Sequence, residues 1–504
     1  MISRKDFIKG AAAGAVGVAT MGILGGCTDN TVVVDEMNFD KEADVVIVGA
    51  GGAGVAAALE AASAGASVLI LEKAGIAGGT TNYSGGVMQA SGTEAQKTFT
   101  AFKNDSPENH FQLWSKAGEG YVDDELVKDL AYGAPEHIEW LTGLGLNFTS
   151  VYGHTHIPYV DESLFADRIH VYEGGGAAGS GNILVMAMLN AAEEKGAVTE
   201  YETEVTRLLM DADKTVVGVS AVQNGQEINI KANKGVILAA SSIDHNEEMA
   251  KDLSPQHHWD LTSQVCLCAP TDTGDGIRMG MEAGAAMAGF GGTIDFCGKT
   301  GAATDNRNPV FPSFIVNQAG RRFVCEDATY AYHYRAIFQQ VKQMDGPTYM
   351  VFGHSSLGAP GCAWTEESLQ QDITDGVVKT ADTIEELAAA IGIDSTNLAT
   401  TLEAWNKDME QGKDTDFGRK TGLAQISGPF YAYQNVSFNL GAIGGVKINT
   451  DAQALRPNNE PIPHLYAAGM NAGGWIGPYY PGSGTAVIGL IHWGRKAGAH
   501  AAGQ

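Results

Sequence analysis

Apolar residues in this chain fall into two patterns, and their order predicts its elements. Asp44 to Val48 and Ser67 to Leu71 are short apolar runs of the kind a parallel strand buried on both faces requires. Gly54 to Gly65, between them, reads as a helix of small residues. Leu126 to Gly143 and Asn182 to Lys195 carry apolar residues at helical spacing and predict amphipathic helices. Glu200 to Leu209, Val216 to Gln223 and Gly235 to Ala240 read as strands, the last one buried. Thr271 to Ala285 reads as a turn feeding a helix. From Gly289 to about Asn439 the chain becomes more polar and aromatic, with helices at Ile384 to Ala390 and Ser395 to Lys407. A strand at LYAAG (465–469), a glycine loop and a closing helix then return to the earlier style. Alternating strand and helix predict an α/β fold. The return after residue 439 predicts a first domain over 42–288 and 440–504, interrupted by a second domain over 289–439.

The turn after the first strand carries the chemistry. Gly49, Gly51 and Gly54 complete GxGxxG between strand and helix, and Glu72 ends the next strand. Such glycines close a tight turn and let the backbone approach a pyrophosphate, which the helix N-terminus attracts; the acid accepts ribose hydroxyls. The unit predicts a dinucleotide. A second loop of glycines and hydroxyls follows at once, with Gly78, Gly79, Thr80, Thr81, Ser84, Gly85 and Gly86. Loops of this kind present N–H groups to a phosphate or a flavin ring. Nicotinamide dehydrogenases have no need of one here, so FAD is favoured. Asp275, opening the helix after TDTG, is placed to meet a phosphate or ribitol.

Composition and charge narrow the partners. The chain has 504 residues, 65 glycines and a net charge of −27, which argues against nucleic acid or an anionic membrane surface as a partner. Its first 27 residues differ from the rest. Ser3 to Lys9 (SRKDFIK) resembles a twin-arginine export motif with Lys5 in place of the second arginine. Gly10 to Gly26 is a small-residue apolar run too short to span a bilayer comfortably, and Leu24 to Cys27 (LGGC) resembles a bacterial lipobox. Residues 1–27 are therefore expected to be an export signal that leaves a lipid anchor at Cys27. Residues 28–41 are expected to be a tether, and the protein to be anchored on the outer face of the cytoplasmic membrane. Cys266, Cys268, Cys297, Cys325 and Cys362 form no CxxC pair, so no metal site is expected; His154, His156 and His170 lie in a Gly-rich region and are not read as ligands.

In order and together, GAGGAG (49–54), GGTTNYSGG (78–86), TGDGI (273–277) and GRRFVCE (320–326), with ADTIEEL (381–387), DFGR (416–419), IGGVKINTDAQAL (443–455) and LYAAG (465–469), resemble one family across residues 42–504. That family is the fumarate reductase and 3-ketosteroid dehydrogenase superfamily of FAD flavoproteins. The resemblance implies a Rossmann-like FAD-binding domain with an inserted α+β capping domain that closes over the flavin. It implies FAD contacts from Gly49, Ala50, Gly51, Gly52, Ala53 and Gly54, and from Glu72 and Lys73. Gly79, Thr80, Thr81, Ser84, Gly85 and Gly86 of the second loop are implied as well. So are Val205 and Asp275 and, near the C-terminus, Gly469, Met470, Gly484, Ala486 and Val487.

Dicarboxylate reductases of this family hold their substrates with arginines and histidines, because two carboxylates need fixed cationic donors. This chain has GPYYPGSG (477–484) where one such arginine is expected, none near Leu357, and no histidines near Cys297 and Gly441. The ketosteroid branch is nearer. Its YPGPG loop resembles Tyr480 to Gly484, and its tyrosine after RRFxNE resembles Tyr330. The third tyrosine of that branch is assigned to Tyr132, with Tyr121 as the alternative. SSIDHN (241–246) departs from the usual GGFDHN, with Ser241 and Ser242 in place of glycines.

The resemblance implies hydride transfer between flavin N5 and the β carbon of a C=C bond conjugated to a carbonyl. The proton at the α carbon would pass through Tyr330, and the carbonyl oxygen would be held by Tyr480 and the Gly484 N–H. The expected substrate is a small apolar carbonyl compound, a 3-oxo-steroid-like enone, with a membrane-associated or separate electron-donor protein. A reductase of fumarate, urocanate or an aryl acrylate, and an electron-transfer flavoprotein with no small-molecule substrate, are the alternatives.

Overall fold

The computed structural model describes residues 38–503 apart from 154–155, 264, 300–301 and 307–309. The export signal with Cys27, tether residues 28–37 and His154 lie outside the described residues.

Lys41–Val48 is the centre of an eight-stranded sheet. It pairs in parallel with Val68–Leu71 on one side and Gln226–Leu238 on the other, in register Val45 to Val68 and Val46 to Val236. Val198–Glu200 extends one edge and Pro461–Ala467 the other, both in parallel. Val45, Val46 and Ile47 are fully buried, which is why the run is unbroken by polar residues. The Gly52–Ser63 helix needs its small side chains because the C-terminal helix, Thr485–Ala502, lies against it. A Cβ on Gly494 would come within 2.4 Å of the Ala53 carbonyl oxygen, and one on Gly498 within 2.2 Å of that of Ala57.

Two long strands, Met287–Lys299 and Val436–Lys447, pair antiparallel and begin and end the 311–433 segment. Within that segment four antiparallel strands run in the order Ser313–Val316, Tyr349–Gly353, Phe430–Gln434, Val378–Ala381. Strand alternation gives this sheet two apolar faces. Phe314, Val316 and Val351 pack with Leu387, Leu398 and Trp405 of the Ile384–Ile391 and Ser395–Met409 helices. Ile315, Met350 and Phe352 pack with Tyr334, Ile337 and Trp364. The Tyr330–Met344 helix thus rests on a firm base at one end and brings Tyr330 to the main core at the other.

Candidate active site

One long cavity runs along the C-terminal ends of the parallel strands. It is lined by the first glycine turn, the second glycine loop, the segment after Leu238, Asp275, Tyr330, and the loop that leads into the final helix. This is where ligands of open α/β sheets bind. Of the residues assigned to the cofactor, the structure places Gly49, Gly51, Gly52, Ala53, Glu72 and Lys73 in the lining, with Gly79, Thr80, Thr81, Ser84, Gly85 and Gly86. Val205, Asp275, Gly469, Met470, Gly484, Ala486 and Val487 line it too. Ala50 and Gly54 do not. Ala50 donates its N–H to Glu72 at 2.8 Å, and a Cβ on Gly54 would come within 2.0 Å of the Gly49 carbonyl oxygen, so both serve the turn from behind.

The cradle fits FAD. A Cβ on Gly51 would meet no protein atom closer than 3.9 Å and would stand in space that a phosphate needs. Gly49, at φ +100°, holds a backbone shape that only glycine adopts easily. Each Glu72 carboxylate oxygen accepts one N–H, from Ala50 and Ala74, and burial pushes the Glu72 carboxyl up while those N–H groups pull it back. Its remaining lone pairs suit ribose hydroxyls. Asp275, assigned to a phosphate or ribitol, accepts from Lys73 Nζ at 2.6 Å and from Thr273 Oγ1 at 2.9 Å.

At the other group of lining residues, Tyr330, Tyr480 and Ser483 come together. The two rings are 6.0 Å apart between centroids, and the Tyr330 hydroxyl lies 3.3 Å from Ser483 Oγ. Tyr480 precedes the final helix, and the Ala486 N–H donates to its hydroxyl oxygen at 2.9 Å. The backbone amides of Gly484 and Thr485 add to that pull on the hydroxyl, while the Thr485 N–H itself donates to the Gly482 carbonyl at 3.2 Å. Gly484, assigned as a direct donor to substrate, lines the cavity beside Tyr480. Burial pushes Tyr480 up to about 12 against the pull of these amides, and burial with the Tyr480 charge pushes Tyr330 well above the usual tyrosine range. Gln89 fixes the loop: its Nε2 donates to the Ser483 carbonyl at 3.1 Å while its Oε1 faces His110 Nε2 at 3.2 Å. Ile294 and Leu440 supply apolar lining.

The tyrosine assigned third does not join them. Tyr132 is half exposed on the outer side of the Asp124–Gly143 helix, where it donates to Glu108 at 2.8 Å and is absent from the lining; Tyr121 is 69% exposed. Ser483 was missed, although it was visible as the hydroxyl in place of the second proline of YPGPG. Asp244 and Asp272, also in the lining, were missed because buried acids leave no mark of their burial in the sequence.

Comparison with known proteins agrees with this geometry. The model of the FAD binding domain family matches residues 44–487. Digoxin reductase of Eggerthella lenta is 31% identical over 99% of this chain and 97% of its own length. Urocanate reductase of the same organism is 34% identical over 92% of this chain and 75% of its own. The solved 3-ketosteroid-Δ4-(5α)-dehydrogenase from Rhodococcus jostii RHA1, in complex with 4-androstene-3,17-dione, has a TM-score of 0.79 at 29% identity, covering 93% of this chain and 99% of that one. This chain belongs to the FAD binding domain family and is an FAD-dependent oxidoreductase acting on CH–CH bonds.

Proposed function

We propose that this enzyme reduces a C=C bond conjugated to a neutral carbonyl, a 3-oxo-steroid-like enone fitting best. One observation carries the reading: three hydroxyls, of Tyr330, Tyr480 and Ser483, gather in a wall that offers no free cation. Lys73 is the only Lys, Arg or His among the described lining residues, and Asp275 holds it at 2.6 Å. A carboxylate substrate needs charge-assisted donors. A ketone oxygen needs only neutral ones, and these are present.

Bound FAD supplies the hydride that reaches the β carbon. Charge then grows on the carbonyl oxygen, and Tyr480 is suited to meet it. Its oxygen accepts the Ala486 N–H, so its own hydrogen is available to donate, and the helix N-terminus behind it favours negative charge. Tyr330 delivers the proton to the α carbon and is reprotonated through Ser483. Both tyrosines stay neutral at physiological pH because burial holds their protons on.

The reductive direction is supported by the two Eggerthella relatives, both named as reductases. Export and a lipid anchor at Cys27, with electrons arriving from a membrane-associated or separate donor protein, belong to the same proposal and rest on the SRKDFIK and LGGC motifs. Tyr480→Phe tests the core of it. The variant is expected to keep FAD at full stoichiometry and to lose on the order of 10²-fold in kcat, the cost of one oxyanion donor. Unchanged turnover would remove Tyr480 from the mechanism.

A further inference from the structure

Ser483 and Tyr480 stand on a loop whose own backbone does little to fix its shape. Gly482 and Gly484 flank Ser483 at φ +133° and +91°, conformations that glycine enters freely and orders only at an entropic cost. Restraint has to come from outside the loop, and Gln89 supplies it at three points. Its backbone N–H donates to the Gly484 carbonyl at 3.3 Å, and its side-chain Nε2 donates to the Ser483 carbonyl at 3.1 Å and lies 3.4 Å from Thr485 Oγ1. Thr485 Oγ1 spends its own hydrogen on the Gly482 carbonyl at 2.9 Å, so it accepts from Gln89. Gln89 is buried in the short Met88–Gln89 strand, just after the second glycine loop, and is absent from the cavity lining. A Cβ on Gly484 would come within 2.8 Å of the Met88 carbonyl carbon, so strand and loop are in backbone contact.

The Gln89 amide has one workable orientation. A carbonyl only accepts, so the amide nitrogen faces Ser483 and the amide oxygen faces His110. His110 lies fully buried on the Pro107–Ala117 helix, with Nε2 3.2 Å from Gln89 Oε1. Nε2 therefore carries the hydrogen, and the chain of donors runs from His110 through Gln89 to the Ser483 carbonyl. His110 Nδ1 has no hydrogen-bond partner among the described residues, and the ring packs on Trp114 with 3.8 Å between centroids. The imidazole thus makes its one polar side-chain contact with Gln89. Arg168, paired with Asp105 at 2.7 Å, and His170 are the charged and titratable groups facing it; burial, and then these two, keep His110 neutral.

The Ser483 carbonyl that Gln89 holds and the Ser483 Oγ that lies 3.3 Å from the Tyr330 hydroxyl belong to one residue between two glycines. Fixing the first fixes the direction of the second. We propose that Gln89, oriented by His110, is a positioning residue of this enzyme, setting the Tyr480–Gly484 loop so that Ser483 and Tyr480 meet Tyr330 and the substrate in reacting geometry. The proposal rests on the roles proposed above for these three hydroxyls.

Gln89→Glu separates hydrogen bonding from packing. A neutral carboxyl has one donor and one acceptor and replaces the amide between His110 and Ser483, whereas a carboxylate has no donor and repels the Ser483 carbonyl. The loop is therefore held below the pKa of the introduced carboxyl and released above it. The test measures kcat and KM of the FAD-loaded wild type, Gln89→Leu and Gln89→Glu between about pH 5 and pH 8, with 4-androstene-3,17-dione and with fumarate as oxidants of the reduced enzyme. Gln89→Leu is expected to hold FAD at full stoichiometry, to keep KM within about twofold and to lose on the order of 10²-fold in kcat, the scale of a misplaced reacting group. Relative to wild type at each pH, Gln89→Glu is expected to match Gln89→Leu at the alkaline end and to recover about tenfold in kcat on acidification. Wild-type kcat in Gln89→Leu, or a Gln89→Glu ratio that does not change with pH, would overturn the proposal. Should neither variant hold FAD, His110→Phe decides, because it keeps a ring against Trp114 and removes only the donor: a fall of about tenfold in kcat at constant KM supports the proposal, and an undiminished kcat overturns it. If fumarate alone is turned over, the neutral-carbonyl reading fails, and the same kcat ratios measured with fumarate decide for or against Gln89.

Discussion

Ser483 connects the two tyrosines that the proposed chemistry needs, through its side chain to Tyr330 and through its place in the loop to Tyr480. Ser483→Ala is expected to keep FAD bound and to lower kcat on the order of 10²-fold, the scale of a lost proton-transfer partner. Ser483→Thr, which keeps the hydroxyl, is expected to recover part of the loss. Steady-state kinetics on both variants decide it, and equal rates for wild type and Ser483→Ala would exclude the relay. Tyr330 and Tyr480 were legible in the sequence because each stands at a fixed offset from a motif. Tyr132 was misplaced for a physical reason. The buried face of its helix is set by Leu126, Leu130, Ala134 and Ile138, and a residue two positions from Leu130 points the opposite way. A motif match without a helical phase cannot tell those faces apart.

Among the elements, the GRRFVCE and DFGR motifs find a structural meaning. Arg322 forms ion pairs with Glu326 and Asp414, each at 2.8 Å, in a place where all three side chains are at most 5% exposed. Arg419 of DFGR lies 3.6 Å from Glu326, and the Arg322 guanidinium stacks on Trp405 and Phe417. Next to this cluster, Asp327 accepts the Lys420 and Thr421 N–H groups and meets His156 Nδ1 at 3.0 Å, fixing the turn just before Tyr330. Removing one member of a buried ion pair leaves an uncompensated charge. Arg322→Ala is therefore expected to cost about 3–5 kcal/mol of stability, read as a lower denaturation midpoint, and a change below 1 kcal/mol would refute the role. Several elements were not legible. The glycine-rich Met287–Lys299 strand offers no clean alternation, and the Gln226–Leu238 strand was read only from its continuous apolar end, although Ile228, Ile230 and Ala232 alternate with polar residues in its first half. The parallel core was legible because burial on both faces leaves no choice of residue.

At the scale of the whole molecule, alternating elements and glycine loops were enough to indicate an α/β fold around FAD. The proposed substrate class was expected from the tyrosine loop that stands in place of an arginine, and the fold adds that Lys73 is ion-paired and that the Tyr330 and Ser483 hydroxyls lie together in a wall shared with Tyr480. The anchor proposal has its own check: Cys27→Ser is expected to move the protein from the membrane fraction to the soluble fraction, and an unchanged distribution would reject lipidation at Cys27. The central claim, reduction of a double bond conjugated to a neutral carbonyl, is tested most directly by anaerobic stopped-flow reoxidation of the reduced, FAD-loaded enzyme. The panel comprises 3-oxo-Δ1- and 3-oxo-Δ4-steroids, an unsaturated lactone, fumarate, urocanate and cinnamate. Rapid, saturable reoxidation by one or more of the neutral carbonyl compounds, with the carboxylates inert, is the predicted result; reoxidation by the carboxylates alone would contradict it.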